Sequence, residues 1–96
     1  MIEKTEYQYR VIQNVRKIRL EHNVSQSALG NILSLSKGQI GNIESTKYSQ
    51  KYTLKQLYDV CEHFKVSLQS IMFSEEEQNA EDEIDLLIKK IIEYEQ

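Results

Sequence analysis

The sequence predicts an all-α fold: a body of five short helices with an additional C-terminal amphipathic helix. Three observations point to it. The chain of 96 residues has no proline and three glycines, which leaves few places for the tight turns that join strands. Serine or threonine recurs just ahead of apolar residues spaced three and four apart, the pattern of a capped amphipathic helix. Ile84, Leu87, Ile88, Ile91 and Ile92 follow the spacing i, i+3, i+4, i+7, i+8 of a single helical stripe.

The first helix starts at Thr5, the expected N-cap, with Gln8 at capping-box spacing. Val11, Ile12, Val15, Ile18 and, less regularly, Leu20 give its apolar side. Asn23 suits the left-handed residue that ends a helix. Ser25 caps the second helix, with Leu29, Ile32 and Leu33 turned inward. Ser36 caps the third, with Ile40 and Ile43 three apart. Only Ser34 and Leu35 lie between these two. Short helices joined so tightly cannot lie antiparallel and must cross steeply, as in a helix-turn-helix. "STKYSQKYT", residues 45–53, is a polar, aromatic and basic loop. Thr53 caps the fourth helix, with Gln56 at capping-box spacing and Leu54, Leu57, Val60, Cys61 and Phe64 on its apolar side. Ser67 caps a short fifth helix containing Leu68, Ile71 and Met72. The chain thus divides into a body at 1–73, an acidic linker or frayed turn at 74–83, and a final helix at 84–96.

The length fits one domain with one modest core. No run of about 18 apolar residues is present and the charged N-terminus lacks a signal-peptide core, so no membrane partner is expected. A single cysteine excludes an internal disulfide framework, and the expected location is cytoplasmic. The net charge of −3 averages two unlike parts. Residues 1–73 hold ten Lys and Arg against six Asp and Glu, a net of +4; residues 74–96 hold two against nine, a net of −7. A mildly basic body therefore carries an acidic tail, and local field governs partners more than the total does.

"IRLEHNVSQSALGNILSLSKGQIGNIES" and its continuation "YTLKQLYDVCEHFKVSLQSIM" resemble the Cro/repressor-type helix-turn-helix family, also called the XRE family, over roughly residues 11–72. Ser25-Gln26, Leu29, Leu35-Ser36, Ile40, Ile43-Glu44 and Val66-Ser67-Leu68 carry the likeness. The resemblance implies a five-helix, lambda-repressor-like DNA-binding domain with its helix-turn-helix at about 25–45. It implies that helix 36–45 enters the major groove, where base edges present a readable pattern. Lys37, Gly38, Gln39, Gly41 and Asn42 would then face bases. Ser25, Gln26, Ser36, Lys47, Tyr48, Ser49 and Lys51 would contact the DNA backbone. The family also pairs Glu44 with an arginine at the position of Arg19, which implies a partly buried ion pair holding helix three to helix one.

The chain departs from the family in places. Thr46 stands where a glycine is usual, and the following loop has no proline. Gly30 stands for alanine, Ser34 for glycine and Lys65 for a capping glycine; each is expected to soften the fold by about 1 kcal/mol or less. Gly38 and Gly41 weaken helix three by about 1 kcal/mol each relative to alanine. Close approach of the backbone to DNA would give them a purpose.

Other chemistry has little support. Cys61 and His63 lie two apart on a helix and point to different sides, a poor metal site; Cys61 reads as core packing. His22 has no partner spacing. No nucleophile–base constellation, phosphate-cradling glycine loop, calcium-loop pattern or paired-carboxylate pocket is present in the sequence. The chain is therefore expected not to be an enzyme, and to need no cofactor, metal or small-molecule effector. The expected function is a sequence-specific transcriptional regulator, by default a repressor, bound to double-stranded DNA as a homodimer on a two-fold-symmetric operator. Ile84, Leu87, Ile88, Ile91 and Ile92 form the expected dimer stripe. The layout resembles the controller proteins of restriction–modification systems. The rival expectation is an antitoxin or other interaction module whose C-terminal helix captures a partner protein.

Overall fold

The structure, a computed structural model, describes residues 3–79 and 81–96; Met1 and Ile2 of the expected body and Ala80 of the expected linker lie outside the described residues. Six α-helices are present, and no strand among the described residues. Hydroxyl caps start each helix of the body. Thr5, Ser25, Ser36, Thr53 and Ser67 accept hydrogen bonds from the backbone N–H three residues on. These caps open α1 (Glu6–Glu21), α2 (Gln26–Leu33), α3 (Lys37–Glu44), α4 (Leu54–Phe64) and α5 (Leu68–Met72). Gln8, Gln39 and Gln56 reach back to the cap N–H and complete three capping boxes. The acidic segment forms a 3₁₀ turn at Glu77–Asn79, and Asp82 caps α6 (Glu83–Glu95).

Three helix ends turn through left-handed residues that are not glycine: Asn23, Ser34 and Lys65 have φ of 55°, 59° and 59°. Such a conformation costs a residue with a Cβ about 1 kcal/mol. Gly30 corrects the sequence-based expectation. A Cβ there would lie 2.4 Å from the Leu35 carbonyl oxygen. Its absence lets Leu35 N–H donate to Gly30 O at 2.8 Å and close the turn between α2 and α3. The glycine is a requirement of that turn and not a defect in it.

One core runs through the chain. Val11, Ile12 and Val15 of α1 meet Leu29 and Leu33 of α2, Ile40 and Ile43 of α3, Leu57 and Val60 of α4, and Ile71 and Met72 of α5. Cys61 is half-buried at the margin of this core, as its expected packing role requires, and burial pushes its thiol up from the ordinary value. The polar side of α1 serves the ends of other helices. Tyr7 Oη donates to Met72 O and Asn14 Nδ2 to Ile71 O, each at 2.8 Å. Gln13 Nε2 donates to Glu44 O at 3.3 Å, and Gln8 Nε2 to Tyr94 O at 2.8 Å. These are carbonyls that the last turns of α3, α5 and α6 leave without a helical partner.

The stripe of α6 divides in two. Leu87 and Ile91, joined by Leu86 and the fully buried Tyr94, pack on the chain's own core. Ile84, Ile88 and Ile92 form a second row, 76%, 52% and 55% exposed. The five aliphatics therefore do not act as one face. A stripe of this width exceeds what a single neighbour covers. The acidic segment is also tied down: Glu77 lies 2.9 Å from Lys90 Nζ and accepts the Ser74 N–H. The Ser74 bond and the Lys90 ammonium hold its carboxyl below the ordinary glutamate value. No described helix is long and apolar enough to cross a membrane.

Two outcomes follow for stability. Gly30→Ala should lose about 2 kcal/mol in urea unfolding, because the carbonyl it meets belongs to rigid backbone. Lys65→Gly should gain up to about 1 kcal/mol by relieving the left-handed strain. Burial also raises the phenols of Tyr7, Tyr52 and Tyr94 above the ordinary 10.0. A raised folded value favours the neutral form, so its stabilisation is complete below the unfolded value and is lost as pH climbs through the folded one. In an alkaline absorbance titration these three phenols should ionise only together with cooperative unfolding.

Candidate nucleic-acid interface

The buried centre of the site is Glu44, the last residue of α3. Its side chain is 5% exposed and that of Arg19 7%. Arg19 forms a two-pronged pair with it, Nε to Oε2 and Nη2 to Oε1, both at 2.9 Å. The third guanidinium nitrogen, Nη1, donates to Val24 O at 2.9 Å and so braces the turn between α1 and α2. Gln26 Nε2, in the first turn of α2, donates to Glu44 Oε1 at 3.0 Å. The half-exposed Arg16 adds a looser contact at 3.7 Å. One carboxylate thus joins α1, α2 and α3, with the ion-pair geometry expected for Arg19 and Glu44.

This anchoring fixes which side of α3 looks outward. Ile40 and Ile43 are buried behind it, while Lys37, Gly38 and Gln39 are exposed and Gly41 and Asn42 half-exposed. The nearest atom to a Cβ at Gly38 would be Ser36 Oγ, and at Gly41 Gln26 Oε1, both at the ordinary contact distance of 3.8 Å. Neither has positive φ. The fold itself gives no reason for either glycine. Gln26 sits beside Gly41, so the first turn of α2 and the middle of α3 share one surface.

Several candidate side chains already have local duties. Ser25 Oγ and Ser36 Oγ accept N–H bonds as caps, which leaves each hydroxyl proton to donate. Gln39 Oε1 accepts the Ser36 N–H at 2.8 Å. Two-pronged pairing of Gln39 with adenine would have to share that oxygen with the cap, whereas its NH₂ is not used by the capping box. Gln26 is held by Glu44 in the orientation described above.

The loop after α3 exposes Lys47, Tyr48 and Ser49. It is held from beneath by Lys4, a residue that sequence patterning did not single out. The Lys4 ammonium is buried and donates to Ser45 O at 2.6 Å, to Tyr48 O, and to Asn42 O at 3.5 Å. A cation at a helix C-terminus complements the helix dipole and the free carbonyls there, and burial pulls its pKa down. Glu3 N–H adds a bond to Thr46 O at 3.2 Å. Lys51, also expected at the DNA backbone, is engaged within the fold. Its ammonium donates to Tyr94 O at 2.9 Å and lies 5.2 Å over the Tyr94 ring, drawn toward α6. Tyr52 is fully buried, with its hydroxyl unpartnered among the described residues.

Electrostatically, residues 22–58 carry Lys37, Lys47, Lys51 and Lys55, and their one carboxylate is the buried Glu44. Lys55 is paired with Asp59 at 2.7 Å. Within 22–58, Lys37 and Lys47 are therefore the lysines with no partner among the described residues, and they are expected to set the field over α3 and its loop. Among the described residues no three His, Cys, Asp or Glu groups are placed to hold a metal ion. No protein-family model, curated protein or solved structure matched the chain.

Removing one partner from a buried ion pair strands the other charge. Glu44→Ala should destabilise the protein by about 3–5 kcal/mol, measured by urea unfolding. Lys37→Ala, at an exposed position, should change stability by less than about 0.5 kcal/mol.

Proposed function

We propose that the protein is a sequence-specific DNA-binding transcriptional regulator of the Cro/repressor type, with its body arranged as in lambda-repressor-like domains and α3 laid in the major groove. The observation that carries this is the outward face of α3. It offers Lys37, Gln39 and Asn42, has no exposed carboxylate, and contains two helical glycines that the fold does not require. Bare backbone suits close approach to bases or phosphates. Lys37 donates to guanine O6 and N7; Asn42 and the Gln39 NH₂ reach base edges. The hydroxyls of Ser25 and Ser36, the Gln26 amide, and Lys47, Tyr48 and Ser49 position the duplex through its phosphates. In this scheme repression works by occlusion, the bound protein covering the duplex that the transcription machinery needs.

The exposed row of Ile84, Ile88 and Ile92 supports pairing with a second copy, which matches a two-fold-symmetric operator. The same row lies on an acidic helix, and that favours the second reading, an antitoxin-like module whose α6 captures another protein. Sedimentation of the pure protein separates the two. A dimer that Ile88→Lys converts to monomer supports self-pairing, whereas a wild-type monomer supports the second reading.

Selection from random duplex DNA tests the DNA assignment itself. A two-fold-symmetric motif should be enriched, and failure to enrich any motif would sink the proposal. On the selected site, Lys37→Ala should lose about 1–3 kcal/mol and relax preference at one base position. Gln26→Ala should weaken binding to all sequences alike. Gly41→Ala should bind more weakly while folding more stably by up to about 1 kcal/mol.

A further inference from the structure

The last turn of α6 grips the second half of the loop that follows α3. Tyr94 is fully buried. Its hydroxyl donates to Tyr52 O at 2.7 Å, and its carbonyl accepts from Lys51 Nζ at 2.9 Å and from Gln8 Nε2 at 2.8 Å. Its ring lies 5.2 Å beneath the Lys51 ammonium. The first half of the same loop is held by Lys4 and Glu3. A loop without glycine or proline is therefore pinned at both ends by side chains from distant parts of the chain. Lys47, Tyr48 and Ser49 are presented between the two pins.

We propose that Tyr94 is a positioning residue for the DNA-contacting loop, acting through Lys51 and Tyr52, and that Lys51 serves this clamp and is not a phosphate ligand. The inference rests on the DNA-binding proposal above. Its physical basis is preorganisation. A loop already fixed in its bound shape loses less conformational freedom when it meets the duplex. An ammonium already held by a carbonyl and an aromatic face gives up part of that engagement when it swings out toward a phosphate.

Two measurements on full-length protein test this. Hydrogen exchange needs no DNA: Tyr94→Phe should speed exchange of the amides at 47–52 while leaving those of α1 through α4 protected. Salt dependence of binding to the selected duplex tests the role of each lysine. Each phosphate neutralised contributes a slope of about 0.9 in log K against log[salt]. Lys47→Gln should therefore reduce the slope by about one, and Lys51→Gln should leave it unchanged. Tyr94→Phe should weaken binding about threefold to tenfold, the range set by one hydrogen bond, at a temperature where both proteins are fully folded. A residue that only supports the fold would lower the melting temperature without moving that affinity. Unchanged loop exchange in Tyr94→Phe, or a slope drop of about one in Lys51→Gln, overturns the proposal. Faster loop exchange in Tyr94→Phe, combined with a wild-type protein that binds no duplex, overturns the DNA assignment and, with it, the role given to Tyr94 in DNA contact.

Discussion

The Glu44 carboxylate is the constraint on which the rest of the site depends. A charge taken out of water is expensive unless it is paired and fully hydrogen-bonded. Here the compensation comes from the bidentate Arg19 guanidinium and the Gln26 amide. Because those donors sit on α1 and α2 while the acceptor sits on α3, satisfying the charge fixes three helices in one arrangement. Arg19 also ties the turn at Val24. The pair confers geometry more surely than net stability. Geometry is what the proposed groove-reading role of α3 needs, since a shift of its axis would move Lys37 and Asn42 together.

A second principle complements the first. Helix ends leave carbonyls unpaired, and α1 supplies side-chain donors to them. Tyr7, Gln8, Gln13 and Asn14 reach the terminal carbonyls of α5, α6 and α3. Lys4 does the same for α3 and its loop. The interior thus combines an apolar core with a set of polar contacts at its margins. Those contacts determine where each short helix stops and how it is oriented.

Local features of this fold were legible in the sequence because their causes are local. A hydroxyl three residues ahead of a glutamine marks a capping box, and α1 and α4 begin where that spacing places them. Asn23 ends α1 through the left-handed residue its type suggests. The helical character of 84–92 followed from spacing, but spacing could not say which aliphatics meet the body; that depends on Tyr94, whose polar tip concealed a fully buried ring. Lys4 and Tyr94 were not legible, because their contacts span 41 and 86 residues and no periodicity connects them. Arg19 and Glu44 were legible only through resemblance to a known pattern. Among the glycines, sequence alone read Gly30 as a softening of the fold. The structure separates them: Gly30 is demanded by the Leu35 carbonyl, whereas a Cβ at Gly38 or Gly41 would make only an ordinary contact inside the protein. That difference directs attention to what lies outside α3.

The most direct test of the central claim is where duplex DNA touches the protein. In an NMR titration of the labelled chain with selected duplex, amide shifts should concentrate at Ser25 and Gln26, along Lys37 to Asn42, and at Lys47 to Ser49. The Ile84, Ile88 and Ile92 face should be undisturbed at constant oligomeric state. Shifts centred on α6, with Lys37 to Asn42 unmoved, would contradict the account.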